Sequence, residues 1–304
     1  MSSSSEPAKA GSLAVDLVSL AVCSLIWGTT WRVIKLQLGA VPPLESVVYR
    51  FALASGLLFA WLLATRRPIA LTRRQHLAVL AQGAFGFCIQ YGCVYVAEET
   101  VPSGAMAVMF AATAFINLVA FRLLLKHRAS PLAWAGVLLG LAGVAAMSVS
   151  QVLDVQGHGD TRIGVLIALA GVLTAVISNL FAARAHAAGV AVVPATAWAM
   201  GYGAVLLGGF VLLTGQPWRF EVSTRYIGSL LYLSVFGSVT AFVVFYFLAR
   251  RRSYTFAAYI AALTPPTAMI LSGLTEQARW GWAAFVGVAL VLAGQVLLIR
   301  GARS

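Results

Sequence analysis

The chain has 304 residues, 61% of them hydrophobic and only 10% charged, with a formal net charge of +12. A soluble domain carries about a quarter charged residues, so this composition excludes one and points to an integral membrane protein. Its apolar runs continue for roughly 20 residues, which selects helices over the ten-residue alternation of an outer-membrane barrel. The basic residues sit in short loops without a basic arm or aromatic platform, which excludes nucleic acid as the partner.

In chain order, residues 1–12 form a polar, Ser- and Ala-rich tail expected to be disordered. Ten spans are predicted: Leu13–Ile34, Leu44–Ala64, Leu77–Ala97, Ala105–Leu125, Leu132–Val149, Ile163–Ala183, Val193–Leu213, Tyr226–Ala249, Phe256–Leu274 and Trp282–Ile299. Each can cross a hydrocarbon core of about 30 Å at about 1.5 Å per residue. Spans one to five make a first unit over 13–150, a polar connector follows over 151–162, and a second five-span unit fills 163–299 before a short tail at 300–304.

With both termini cytoplasmic, fourteen Lys and Arg residues fall inside, six outside, and Arg50 within span two, which sums to the 21 present. That asymmetry is the one the positive-inside rule expects, and with an even number of spans it predicts both ends inside. The acidic residues lean outward, among them Glu45, Glu98, Glu99 and Glu276.

Span five contains Ala133-Trp134-Ala135-Gly136-Val137 and Leu141-Ala142-Gly143, and span ten contains Ala284-Phe285-Val286-Gly287-Val288 and Leu292-Ala293-Gly294. The two match at a constant shift of 151, since 136 + 151 = 287 and 143 + 151 = 294. An odd number of spans per repeat turns the second half upside down, and inverted repeats mark secondary transporters with a site at the midplane. Gly136 and Gly143, like Gly287 and Gly294, lie seven apart and share a helix face. Such a face serves close packing within the bundle or a homodimer interface, and the sequence leaves both open.

Several residues near mid-span invite a functional reading: Trp27, Gln90, Tyr91, Asn117, Tyr202, Ser238 and Thr264. Each alone is explained by interhelical hydrogen bonding worth about 0.6–2 kcal/mol. Spread over many spans at similar depth, they predict a common polar and aromatic cavity. Arg50 either snorkels to the outer interface or faces the bundle interior, there meeting Glu98, Glu99, backbone carbonyls or a substrate carboxylate. Pro265 and Pro266 interrupt span nine and predict a hinge with freed carbonyls. Trp31, Arg32 and Lys35 lie towards the outer surface, where anchoring explains them. Cys23, Cys88 and Cys93 fall in apolar spans as small hydrophobes, so neither metal nor cofactor is expected. No Asp, Glu or His falls near mid-span, so no proton relay is legible, and no motif for enzyme chemistry is present.

The runs Ile26-Trp27-Gly28 to Ile34-Lys35 and Tyr49-Arg50-Phe51-Ala52-Leu53 resemble the first repeat of the EamA-type transporters of the drug/metabolite transporter superfamily. Leu263-Thr264-Pro265 with Glu276, and the Gly287–Gly294 run, are similar to the end of the second repeat. Two departures are Ala114-Phe115 where a mid-span proline is expected, and Leu125-Lys126 where an acidic residue is. The resemblance implies ten helices in two inverted halves and export of small metabolites, amino acids included. The partners expected are therefore a small-molecule substrate and the lipid bilayer. Efflux of lipophilic drugs, carriage of nucleotide sugars or sugar phosphates, and a non-transporting scaffold stand as the alternatives.

Overall fold

The computed structural model describes residues 10–39, 41–125, 130–153, 159–215, 218–252, 254–257, 259–276 and 280–301. A backbone in hydrocarbon must satisfy its own polar groups, and the described residues do so almost entirely as helix. The helices are α1 Ala10–Lys35, α2 Pro43–Ala64, α3 Arg73–Ala97, α4 Ser103–Leu125, α5 Pro131–Leu153 and α6 Gly159–Ala187. They continue as α7 Val192–Leu213, α8 Thr224–Arg251, the short α9 Tyr254–Ala257, α10 Tyr259–Thr275 and α11 Trp282–Gly301. Seven of these are long and apolar enough to cross a membrane, and shorter apolar stretches cover Pro131–Met147 and Trp282–Leu298. Large apolar side chains such as Leu17, Leu63, Leu138, Leu166, Val205 and Leu213 face outward. An exterior of that kind is suited to lipid and not to water.

Local chemistry sets several ends. Pro43 stands at the first turn of α2, where a missing N–H costs nothing. Thr72 and Gln75 cap the start of α3 reciprocally. Past α6, Gly189 adopts φ 85° and lets the N–H of Val190 reach the carbonyl of Ala185.

Apart from the short α9, the helices run alternately up and down, as their end contacts require. Asp16 pairs with Arg251 and Arg252 at one end, where Gln75 also donates to the Ala188 carbonyl. At the opposite end, which carries Lys35, Ser103 meets Glu276 and the Arg219 N–H donates to Glu45 at 2.7 Å. Laterally, α5 packs on α11, α2 on α7, α4 on α10, α1 on α10 and α8, and α3 on α6 and α7.

The α5–α11 contact is the tightest because glycines face backbone. A Cβ on Gly136 would lie 2.6 Å from the Gly294 carbonyl oxygen, and one on Gly143 2.6 Å from that of Gly287. The glycine face is thus used between these two helices, and a homodimer would need another surface.

Helices extend past the predicted apolar spans. Residues 10–12 begin α1, 151–153 complete α5, 159–162 open α6, and 300–301 complete α11. Helical hydrogen bonding outlasts the hydrophobic stretch at polar ends, so helix runs into the described parts of the connector and tails. The rest of the predicted N-terminal tail, residues 1–9, lies outside the described residues, as do 154–158 of the connector and 302–304.

Two helices widen to π geometry midway, α3 at Ala84–Ile89 and α8 at Leu233–Thr240. In the second, the Thr240 hydroxyl donates to the carbonyl of Val235, five residues back, at 2.9 Å. Such widenings frequently sit at functional sites. By contrast, α10 runs on through Pro265 and Pro266 without the predicted interruption. The prolines still leave the carbonyls of residues 261 and 262 without their helical donors.

Candidate functional site

Between the helices lies a cavity of about 130 Å³. An engineered cavity of about 150 Å³ holds a benzene-sized guest, so this space suits one small solute. Its lining comes from α1 to α4, α6, α8, α9 and α10.

The charged member of that lining is Arg50. Its side chain is fully buried, and no described carboxylate forms an ion pair with it. Instead Nε donates to Ser238 Oγ at 2.9 Å, and Nη2 donates to the Gly237 carbonyl at 3.3 Å. A longer contact of 3.5 Å runs from Nη1 to Tyr95 Oη. The guanidinium also stands 4.7 Å from the Tyr91 ring centroid. Snorkelling is thereby excluded, and Glu98 and Glu99 do not pair with Arg50. A buried cation without a counter-ion is costly, and this one faces a solute-sized space.

The widened turn of α8 makes this arrangement fit. Gly237 lies in it, and a Cβ there would meet Thr30 Cγ2 at 2.7 Å, so only glycine allows α1 so close. Its carbonyl accepts from Arg50 and also from Trp27 Nε1 at 3.3 Å. The corresponding turn of α3 contains Gly86, whose missing side chain leaves room for Ser178 of α6.

Aromatic rings form the walls. Trp27 packs edge-on against Phe242 with centroids 5.2 Å apart, and lies 5.4 Å from Phe245. Tyr91 is backed by Phe51 at 4.7 Å, and Trp31 and Phe110 meet at 5.1 Å. Polar groups are set among them. Asn179 donates to Asn117 Oδ1 at 3.5 Å, and the Thr264 hydroxyl donates to the Ile260 carbonyl at 2.8 Å. Trp31 Nε1 and Thr113 Oγ1 are buried in the lining with no hydrogen-bond partner among the described residues. An unpaired donor in such a place costs about 1–3 kcal/mol unless a ligand engages it.

Of the residues singled out from the sequence, Trp27, Arg50, Gln90, Tyr91, Asn117 and Thr264 line this cavity. Ser238 sits behind it, holding Arg50. Tyr202 stands apart, stacked on Trp198 with its hydroxyl 2.8 Å from His76 Nδ1. It belongs to an aromatic cluster near the start of α3, which the sequence did not reveal because depth along a span carries no rotation about the helix axis. Trp31, assigned to anchoring, is part of the lining instead. Thr30, Thr113, Ser178, Asn179, Phe242, Phe245 and Tyr246 were not foreseen. A signal for some existed: Thr113 and Asn117, like Trp27 and Trp31, are four apart and share a helix face.

The sequence pattern of the EamA-like transporter family matches residues 16–149 and again 162–300. An Archaeoglobus fulgidus protein named an uncharacterized transporter is 29% identical over 91% of this chain and 95% of its own length. The Escherichia coli uncharacterized inner membrane transporter YedA is 28% identical over 81% of this chain and 78% of its own. Among solved structures, one crystal structure superposes with a TM-score of 0.72 at 17% identity, covering 95% of this chain and 98% of the other.

Proposed function

Because the chain belongs to the EamA-like transporter family, and is therefore a membrane transporter and not an enzyme, we propose that it exports amino acids or related small metabolites by alternating access. The observation that carries this reading is Arg50, a buried guanidinium without a carboxylate partner beside a solute-sized cavity. A planar fork of N–H donors is matched by a substrate carboxylate. The aromatic walls suit an apolar or aromatic side chain, and Trp31 Nε1, Thr113 Oγ1 and the Asn117–Asn179 pair supply further hydrogen bonding.

The architecture we propose is ten membrane helices in two inverted halves. Its support is a set of contacts that map onto one another at the shift of 151. Gly136 meets Gly294 while Gly143 meets Gly287, which is the reciprocal pattern of a twofold axis. Gly86 and Gly237, also 151 apart, each admit the first helix of the other half. The distribution of basic residues supports both termini in the cytoplasm, and the name of the Escherichia coli relative supports a bacterial inner membrane.

Lipophilic drug efflux is favoured by the same aromatic walls, but Arg50 opposes any cationic compound. Sugar phosphates and nucleotide sugars would want more than this one cation. The test is flux of labelled amino acids into or out of liposomes holding the purified protein. Saturable exchange of apolar amino acids that Arg50→Gln abolishes is expected. Absence of flux for every amino acid, with drug resistance in an overexpressing strain, would replace this reading by the efflux one.

A further inference from the structure

Glu98 is an acidic group that the carboxylate-binding reading leaves unused. The sequence alone puts it in an outer loop, yet it is 0% exposed, directly after the last residue of α3. Both carboxylate oxygens are buried with no hydrogen-bond partner among the described residues. Leaving an anion there is expensive, whereas a neutral acid is tolerated.

Its neighbours come from several elements. Lys35 and Arg32 of α1, Arg50 of α2 and Glu276 beyond α10 lie within electrostatic reach, and none of the cations forms an ion pair with it. Glu276 is occupied, accepting from the backbone N–H of Ser103 at 3.2 Å and from its hydroxyl. From α6, Thr161 and Gly164 adjoin the same turn. On Glu98's own helix Tyr95 donates to Gln37 Oε1 at 2.8 Å and is touched by Arg50, while Gln37 Nε2 is buried without an acceptor. A polar track therefore leads from the cavity through Arg50 and Tyr95 towards Glu98. The surrounding positive charge disfavours any metal cation, which leaves the proton as the ion this site can take.

We propose that Glu98 is a proton-binding site, holding a proton while the Lys35 end of the bundle is closed and releasing it when that end opens to water. On release the carboxyl O–H breaks, the proton passes to water, and the remaining carboxylate faces Lys35 and Arg32. Burial raises its carboxyl above the ordinary value of 4.5, Lys35 pulls it back, and Glu276 pushes it up again, with Arg50 and Arg32 opposing. The proposal goes beyond the transport reading and depends on no particular solute.

Infrared titration of the purified protein in lipid vesicles tests it without any substrate, so its outcome is separate from that of the flux assay. The C=O stretch of a protonated carboxyl group should persist above the ordinary carboxylate range in the wild type. It should vanish in Glu98→Gln and survive in Glu99→Gln and Glu276→Gln. Lys35→Gln, which removes the strongest support for the charged form, should move the midpoint up by about one pH unit. A wild type without such a band, or a band that survives in Glu98→Gln, overturns the proposal. Should Glu98→Gln fail to accumulate, an unmoved midpoint in Lys35→Gln overturns it alone.

Discussion

Replacing Arg50 by Met separates the structural from the functional role of the buried cation. The side chain is fully enclosed, and methionine fills similar volume without charge. Its loss strands little. The Gly237 carbonyl keeps its bond from Trp27 Nε1 at 3.3 Å, and Tyr95 Oη loses only a long 3.5 Å contact and keeps its bond to Gln37. The Ser238 hydroxyl, which accepts from Nε at 2.9 Å, forfeits one bond. One such bond is worth about 1 kcal/mol net, whereas desolvating an unpaired cation costs several kcal/mol. Thermal stability should therefore hold or rise. Binding of a carboxylate substrate should lose a charge-assisted hydrogen-bond set worth about 1.5–3 kcal/mol, which is roughly 10- to 150-fold in Kd. Arg50→Lys should fall between, because an ammonium keeps the charge but not the fork. Calorimetric titration and a melting curve on one preparation read both quantities. Unchanged affinity together with a lowered Tm would make Arg50 a structural residue and refute the reasoning.

Three other outcomes follow from the same geometry. Thr113→Val keeps the shape of a residue whose hydroxyl has no partner, so stability should rise by about 1 kcal/mol while flux falls, as melting and liposome exchange will read. Gly287→Val would drive a Cβ to 2.8 Å from the Gly143 carbonyl oxygen, and overpacking against backbone should lower stability by about 1–3 kcal/mol in a melting series. For Glu98 the folded chain holds a proton that the unfolded chain releases above 4.5, so its stability contribution is full below that value. It should decline as pH rises through the elevated folded value, and a pH series of melting temperatures should flatten in this window for Glu98→Gln.

The membrane class and the helical fold were legible because hydrocarbon imposes continuous apolar runs on the sequence. Span ends were less so, since polar residues such as Gln151 and Thr161 prolong helices beyond the apolar stretch. Within the candidate site, Trp27, Arg50 and Asn117 were found because polar or amphipathic groups at mid-span are costly and therefore conspicuous. Phe242, Phe245 and Tyr246 were not, because an aromatic wall of a cavity has the same composition as a packed core. Tyr202 and Trp31 exchanged roles because depth is readable from position in a span while rotation about the helix axis is not. The fate of Glu98 was hidden for a related reason: a residue one step past an apolar run is buried or exposed according to neighbours from other helices.

Alternating access, as proposed, needs each end to part at modest cost while some contacts stay fixed, and the contacts divide in that way. At one end Asp16 holds α1 to the end of α8, with Arg252 Nη2 at 2.5 Å and Arg251 Nε at 3.2 Å, the latter an ion pair without hydrogen-bond alignment. At the other, Glu276 holds Ser103, Glu45 holds the Arg219 N–H, and Ser46 meets Tyr226 at 2.9 Å. Ties of this sort contribute about 0.5–3 kcal/mol each, so releasing those at one end costs a few kcal/mol, the scale of a conformational equilibrium. The α5–α11 seam is different, since its glycines bring backbone against backbone and any sliding would lose contact along the whole seam. Bridging Asp16→Cys and Arg252→Cys with a thiol cross-linker, in a chain freed of its three native cysteines, should therefore stop liposome flux. Bridging Ser130→Cys and the exposed Arg300→Cys with a longer flexible cross-linker, at the end of the α5–α11 seam where the Ser130 hydroxyl donates to the Gly301 carbonyl at 2.7 Å, should leave it running. Gly301 itself stays, because a Cβ there would collide with the Ala133 nitrogen. Equal inhibition by both bridges would mean that the seam moves too, and that the fixed and moving parts have been divided wrongly.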